Sequence, residues 1–295
     1  MSLSVTPPRP KLPYRAFSAS NTSAGRVRRV MNEERYTKEI SPDLVVICQG
    51  FIFKLHRNVV CHQSRFFHAA IYNHEFREYR TQTIDLETDD LATMERIFSY
   101  LYTEDYKDNG HIKDISRNIR AIELGQTIAN DHAPRHAPFN NIMVFITADR
   151  FQIPRLVVHA ANKFRQWCTE NWASDAFVEA VQQAMIIVPT HLTLLFYIIA
   201  ETIQKNLTAL GGSGRLRDLI GPHPGLGVVV LERYVKQEKL RQAERNTIVA
   251  SITNRARRMT NCSNQGCRAP LDVRLDQDDY ELRTVRCAHC KVRQW

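Results

Sequence analysis

The chain has 295 residues, 43% of them hydrophobic, and a formal net charge of +9, which supports a full core plus a smaller appendage and favours acidic partners or nucleic acid without specifying an activity. The opening MSLSVTPPRPKLPYR is interrupted by prolines and basic residues, so no export signal is expected; Ile186 to Ala200 is shorter than the ~20 residues of a bilayer span and reads as a core helix, with no membrane contact. A chain kept inside the cell, in nucleus or cytoplasm, holds its seven cysteines as thiols or metal ligands rather than disulfides.

Residues 1–40 contain Pro7, Pro8, Pro10 and Pro13, then Arg26, Arg28 and Arg29, the composition of a disordered basic arm. The pattern changes at Ser41-Pro42-Asp43. Leu44 to Cys48 and Phe51 to Leu55 are apolar, strand-favouring runs separated by Gln49-Gly50, which predicts a hairpin with a tight turn. Arg57 to Ala70 predicts a helix broken near His62-Gln63-Ser64. A short strand at Thr83 to Leu86 precedes Asp89-Asp90, carboxylates suited to cap a helix through Leu91, Met94, Ile97, Phe98 and Leu101. Beyond it a helix is expected at Ile112 to Ala129 and an exposed loop at Asp131 to Pro138. Helix resumes at Ile142, breaks at Pro154 and runs to about Trp167; a further helical region spans Ser174 to about Leu210.

Several of these segments resemble the BTB/POZ family over roughly residues 41–166. Asp43-Leu44-Val45-Val46 looks like its first strand. Phe53-Lys54-Leu55-His56 with Ser64-Arg65-Phe66-Phe67 looks like its "v-H-k…S-x-F-F" pattern. Phe98 to Tyr106 resembles the helix end "f-x-x-x-L-Y-T-g-d-Y", and Ala148 to Leu156 the segment "a-D-k-y-x-i-x-x-L". Residues 107–141 look like a long insertion. The resemblance implies an α+β fold, a small mixed sheet flanked by helical hairpins, whose task is binding other proteins, often a second copy of itself. No catalytic residue and no cofactor-binding residue is implied; Asp43 and His56 are expected to hold the fold. Many relatives bridge substrates to a cullin ubiquitin ligase through an apolar-x-Glu triplet. Ile71-Tyr72-Asn73 aligns there, and an amide in place of the acid cannot supply charge-assisted bonds. Glu75 is close enough to serve after a two-residue slip, so ligase duty ranks below scaffolding. Residues 167–258 more weakly resemble the helical region that follows the domain in relatives, with Phe177, Val181, Ala184 and Met185 on its apolar side.

At the C-terminus Cys262, Cys267, Cys287 and Cys290 form C-x4-C…C-x2-C. Residues 259–295 therefore read as a metal module in which four thiolates bind one structural Zn2+, as in a zinc ribbon, with unligated or oxidised thiols as the alternative and His289 a substitute ligand. Leu271, Val273 and Leu275, then Asp276 to Asp279, then Tyr280, Leu282 and Val285 predict two strands joined by a polar turn. Val228 to Met259 predicts a long helix bearing Arg233, Lys236, Lys239, Arg241, Arg245, Arg255, Arg257 and Arg258. It suits either a solvated face or contact with nucleic acid phosphates. The chain lacks a phosphate-binding glycine loop and a nucleophile elbow, so an enzyme is the least favoured class. The leading expectation is a protein-binding adaptor that self-associates; a cullin adaptor and a nucleic-acid-associated transcriptional regulator follow.

Overall fold

The computed structural model describes residues 41–109, 120–121, 137–258, 261–270, 273–274 and 284–294. The expected basic arm and the polar turn Asp276 to Asp279 lie outside them. The chain divides into two compact units, residues 1–199 and 200–295.

In the first unit β1 (Leu44–Cys48) and β2 (Phe51–Leu55) pair antiparallel, with Leu44 opposite Leu55 and Cys48 opposite Phe51. Their turn puts both Gln49 (φ 48) and Gly50 (φ 77) in the left-handed region, the geometry whose twist matches a two-residue hairpin. Leu44, Val46 and Cys48 alternate inward. A third strand, β3 (Thr83–Asp85), lies parallel to β1, and β4 (Arg120–Ala121) antiparallel to β2, giving the order β3-β1-β2-β4. The α+β class is therefore as expected. The helix expected over Ile112 to Ala129 is corrected at residues 120–121, because the free edge of β2 offers unpaired backbone groups that recruit them as strand; its other residues lie outside the described ones.

Helices α1 (Arg57–Gln63) and α2 (Arg65–Tyr72) meet at Ser64, where the expected break occurs with extended backbone, φ −126 and ψ 121. The short α3 (Arg77–Thr81) follows. Helix α4 (Leu91–Thr103) is capped by Asp90, whose carboxylate accepts the Thr93 N–H at 2.9 Å. Asp89 does not share that duty: it is buried and forms an ion pair with Arg150. Helix α5 (Ala137–Arg150) starts five residues before the expected Ile142, taking Pro138 out of the expected loop; a proline fits a first helical turn, where its missing N–H is not needed. Pro154 opens α6 (Pro154–Asn171) for the same reason. The core between sheet and helices is aromatic. Phe53 meets Phe98 at 4.8 Å between centroids, Phe67 meets Phe151 at 5.2 Å, and Phe66 stacks on Phe151 at 4.7 Å. Burying each such side chain stabilises the fold by about 1.5–3 kcal/mol.

Ser174 caps α7 (Asp175–Ile187) by accepting the Phe177 N–H, and α8 (Thr193–Lys205) follows. The single core helix expected from Ile186 to Ala200 is therefore two helices with a turn between them. Pro189 lacks the N–H needed to continue α7, Ile186 is 73% exposed, and the buried apolar residues are Val188, just past α7, and Leu195, Ile198, Ile199 and Ala200 of α8.

In the second unit α9 (Leu207–Gly212) and α10 (Arg215–Ile220) lead to α11 (Pro224–Arg258), a helix of 35 residues. Leu226 and Val230 are buried near its start and Ile252 near its end. Residues 239–247 between them are exposed all round, so this part of α11 is a solvated polar helix. A second sheet joins β5 (Val273–Arg274), β6 (Val285–Cys287) and β7 (Arg293–Gln294), each neighbouring pair antiparallel. β5 falls within the first expected strand, and β6 meets the second at Val285, its residues Tyr280 and Leu282 lying outside the described ones; β7 is an addition. Among the described residues, no helix is long and apolar enough to cross a membrane.

Candidate functional site

Asp43 and His56 hold the fold. The His56 backbone N–H donates to the Tyr102 hydroxyl at 2.8 Å, and the same hydroxyl lies 2.9 Å from His56 Nδ1. Asp43 accepts from the Arg57 backbone N–H at 2.8 Å and from its guanidinium at 3.0 Å. Partial burial raises the Asp43 carboxyl, but the two bonds from Arg57 outweigh it and leave the pKa lowered.

The strongest interaction feature of this unit was not anticipated. Tyr72 (46% exposed), Phe76 (46%) and Tyr79 (36%) present large aromatic surface within eight residues of chain. Helix α2 ends at Asn73, whose side-chain oxygen accepts the Glu75 N–H at 3.0 Å, and the His74 ring packs 4.2 Å from that of Tyr79. The turn thus holds Phe76 and Tyr79 outward. Clusters of this kind are typical of protein-binding surfaces, where aromatic residues are enriched. A sequence signal existed, since three aromatics fall in the otherwise polar stretch from Asn73 to Thr81 and its border. The Ile71-Tyr72-Asn73 triplet lacks the presentation expected for a cullin contact: Ile71 is fully buried and the Asn73 amide is engaged locally, while Glu75 is exposed. An open, largely apolar cleft also lies between α5 and α7, bounded by Phe139, Ile142, Glu179 and Gln183.

The cysteines separate into two kinds. Cys48, Cys61 and Cys168 are buried in the first unit, where burial pushes the Cys48 thiol up to about 12, Cys61 up to about 11, and Cys168 higher still. Such thiols act as small hydrophobes. Cys262, Cys267, Cys287 and Cys290 instead converge, their sulfurs all within 4.8 Å of one another, with Cys262 and Cys290 at 3.6 Å. That is far beyond a disulfide bond of ~2.05 Å. It brackets the separation of about 3.8 Å that four sulfurs take around a tetrahedral ion with ~2.3 Å metal–sulfur bonds. Two similar loops build the cluster: the Cys262 N–H donates to Ala269 O at 2.9 Å, and the Cys287 N–H to Val292 O at 3.1 Å. Backbone N–H groups of Asn264, Ala269 and Val292 point at the sulfurs of Cys262, Cys267 and Cys290 respectively. The bond from Val292 leads in lowering Cys290 to about 6, whereas burial leads in raising Cys262 to about 12. Four close-set thiols, three of them approached by backbone N–H donors, fit a single cation. His289 is exposed beside them, outside the set of converging side chains.

Comparison with known proteins adds one assignment. No curated protein matches the sequence. The family model for the BTB/POZ domain matches residues 32–123, which takes in the hairpin, α1 to α4, β3 and β4. The matched stretch and the observed mixed sheet agree with the resemblance carried by Phe53 to His56 and Ser64 to Phe67, and a domain of this type serves protein–protein interaction. The BTB/POZ match thus covers residues 32–123, within the N-terminal unit.

Proposed function

We propose that this chain is a non-enzymatic adaptor that grips partner proteins through the aromatic edge formed by Tyr72, Phe76 and Tyr79, and that it self-associates. The exposed aromatic cluster carries this reading. Three such residues supply the rigid apolar anchors that dominate interface energetics, each worth about 2 kcal/mol or more when centrally placed. Sedimentation equilibrium of the full chain at tens of micromolar tests self-association: a mass near twice 34.1 kDa is expected, and a monomer throughout refutes it. One observation keeps the cullin reading second: Glu75 is exposed directly beside Phe76. Cullin binding that is lost in Glu75→Ala would move it to first place.

For the second unit the proposal is one structural Zn2+ held by Cys262, Cys267, Cys287 and Cys290. The domain limits at residues 41–166, 167–258 and 259–295 belong to the same proposal. Four thiolates complete a tetrahedral shell and leave no open position for chemistry. Metal content of the purified chain tests it: one zinc per chain is expected, and well under half an equivalent refutes it.

A further inference from the structure

The aromatic edge of the first unit lies beside the point where the N-terminal arm enters the fold. Ser41, Pro42 and Asp43 are exposed, and Asp43 accepts the Arg57 Nε–H at 3.0 Å. A second guanidinium N–H of Arg57 donates to Gln82 Oε1 at 3.0 Å, and the Gln82 amide donates in turn to the Tyr79 carbonyl at 2.5 Å. The Val45 N–H also donates to the Gln82 carbonyl, at 3.1 Å. Two side chains thus tie the entry of the arm to the backbone of α3, the helix that carries Tyr79 and has Phe76 as its cap.

The edge is a set of exposed rings backed by histidines. The His68 ring lies 4.8 Å from that of Tyr72 and the His74 ring 4.2 Å from that of Tyr79, with Phe76 between them in sequence. Phe76 and Tyr79, three residues apart, share one side of the α3 turn. Surfaces lined by aromatic rings receive polyproline II segments, a form with three residues per turn whose ordering costs little. The chain carries such a sequence outside the described residues. In Pro7-Pro8-Arg9-Pro10-Lys11-Leu12-Pro13-Tyr14-Arg15 the prolines 7, 10 and 13 recur at that three-residue period, which assigns them to one face of a polyproline II helix over about 19 Å at ~3.1 Å per residue. Charge does not select the occupant, because Glu75 and Glu78 are balanced by Arg77 and Arg80 across the same stretch.

We propose that the proline-rich segment Pro7 to Arg15 docks on the Tyr72, Phe76 and Tyr79 edge of its own chain, as a built-in competitor for partner proteins. Residues 16–40, 25 in number, separate Arg15 from Ser41. A tether of that length reaches up to about 80 Å when extended, more than the path from the entry point to the edge requires. It holds its end at an effective concentration on the order of 1 mM, well above what a second copy reaches at tens of micromolar. The inference rests on the reading of this edge as a protein-binding surface and adds how that surface is regulated.

Fluorescence anisotropy with a labelled peptide of residues 5–17 tests the docking on full-length chains. The parent is compared with an arm-disabled variant, Pro7→Ser/Pro10→Ser/Pro13→Ser, and with that variant also carrying Tyr72→Ser/Phe76→Ser/Tyr79→Ser. For a Kd on the order of 50 μM, an effective concentration of about 1 mM makes the parent bind the peptide about 20-fold more weakly than the arm-disabled chain. The edge substitutions should remove binding while hydrogen exchange verifies the β1–β2 hairpin, and Phe76→Ser alone should weaken it about 10-fold. Raising salt from about 50 to 500 mM should change the affinity by no more than roughly twofold. Absent binding to the arm-disabled chain, equal binding by parent and arm-disabled chains, or binding that survives the edge substitutions would overturn the proposal. Loss of self-association on disabling the arm would overturn it too, by assigning the arm to a second copy. Partner recovery by the edge variant separates the two readings. Lost partners without peptide binding remove the docking alone, whereas lost peptide binding with unchanged partners removes the gripping role and the competition with it.

Discussion

Replacing Ser64 with alanine removes two bonds that join distant parts of the first unit. The Ser64 hydroxyl accepts the Phe67 N–H at 3.2 Å, capping α2, and donates to the Phe151 carbonyl at 2.7 Å, across 87 residues of chain. Loss of a helix cap costs about 1 kcal/mol. The Phe151 carbonyl lies among fully buried aromatic side chains, where an unsatisfied acceptor costs about 1–3 kcal/mol more. Ser64→Ala should therefore lose about 2–4 kcal/mol. Ser174→Ala supplies the internal comparison, because that serine caps α7 in the same way but its hydroxyl donates to Asn171 O only three residues away, in a part-buried setting. Its loss should stay near 1 kcal/mol. Urea unfolding followed by far-ultraviolet circular dichroism reads the difference as a midpoint shift at constant slope, about 1 M or more for Ser64→Ala at ~2 kcal/mol/M. Equal losses for the two variants would refute a bridging role for Ser64.

Three further tests address other contacts. Tyr102→Phe strips the partner from the buried His56 backbone N–H and ring nitrogen and should cost about 1–3 kcal/mol in the same assay. Partial burial raises the Asp105 carboxyl, but hydrogen bonds from His159 and Lys163 outweigh it and hold it well below the usual carboxylate range. Its stabilisation is complete above the unfolded pKa near 3.9 and declines as pH falls through the folded value. Because the side chain is 64% exposed, the effect is under about 1 kcal/mol; Asp105→Asn should be slightly less stable at pH 7 and lose less stability between about pH 5 and 2. Chelator treatment or Cys287→Ser should abolish hydrogen-exchange protection across residues 261–270 and 284–294, since metal binding supplies on the order of 10 kcal/mol to modules of this size, while the β1–β2 hairpin stays protected.

Features set by local chemistry were legible in the sequence. Gln49-Gly50 announced the hairpin turn, His62-Gln63-Ser64 a helix break and Asp90 a helix start, and the cysteine spacing pointed to the convergence of four sulfurs. Features set by tertiary partners were not. Residues 120–121 pair with an edge strand far back in sequence, which helix-favouring composition cannot reveal. Asp89 looked like a capping residue, but an arginine 61 positions later claims it. The apolar run at Ile186 to Ala200 suggested one helix because apolar density outweighed Pro189, whose effect on the backbone proved decisive. Tyr72, Phe76 and Tyr79 stood out in a polar stretch, but their outward aim was hidden, since exposure of an aromatic depends on how the turn after α2 directs it.

Quantitative affinity capture most directly tests whether the aromatic edge grips other proteins. The full chain and its Tyr72→Ser/Phe76→Ser/Tyr79→Ser variant would be compared at equal expression, with hydrogen exchange verifying the hairpin and α4 in both. The account requires at least one reproducible partner whose recovery falls by about 30-fold or more, the equivalent of roughly 2 kcal/mol. Identical partner recovery by parent and variant would contradict it.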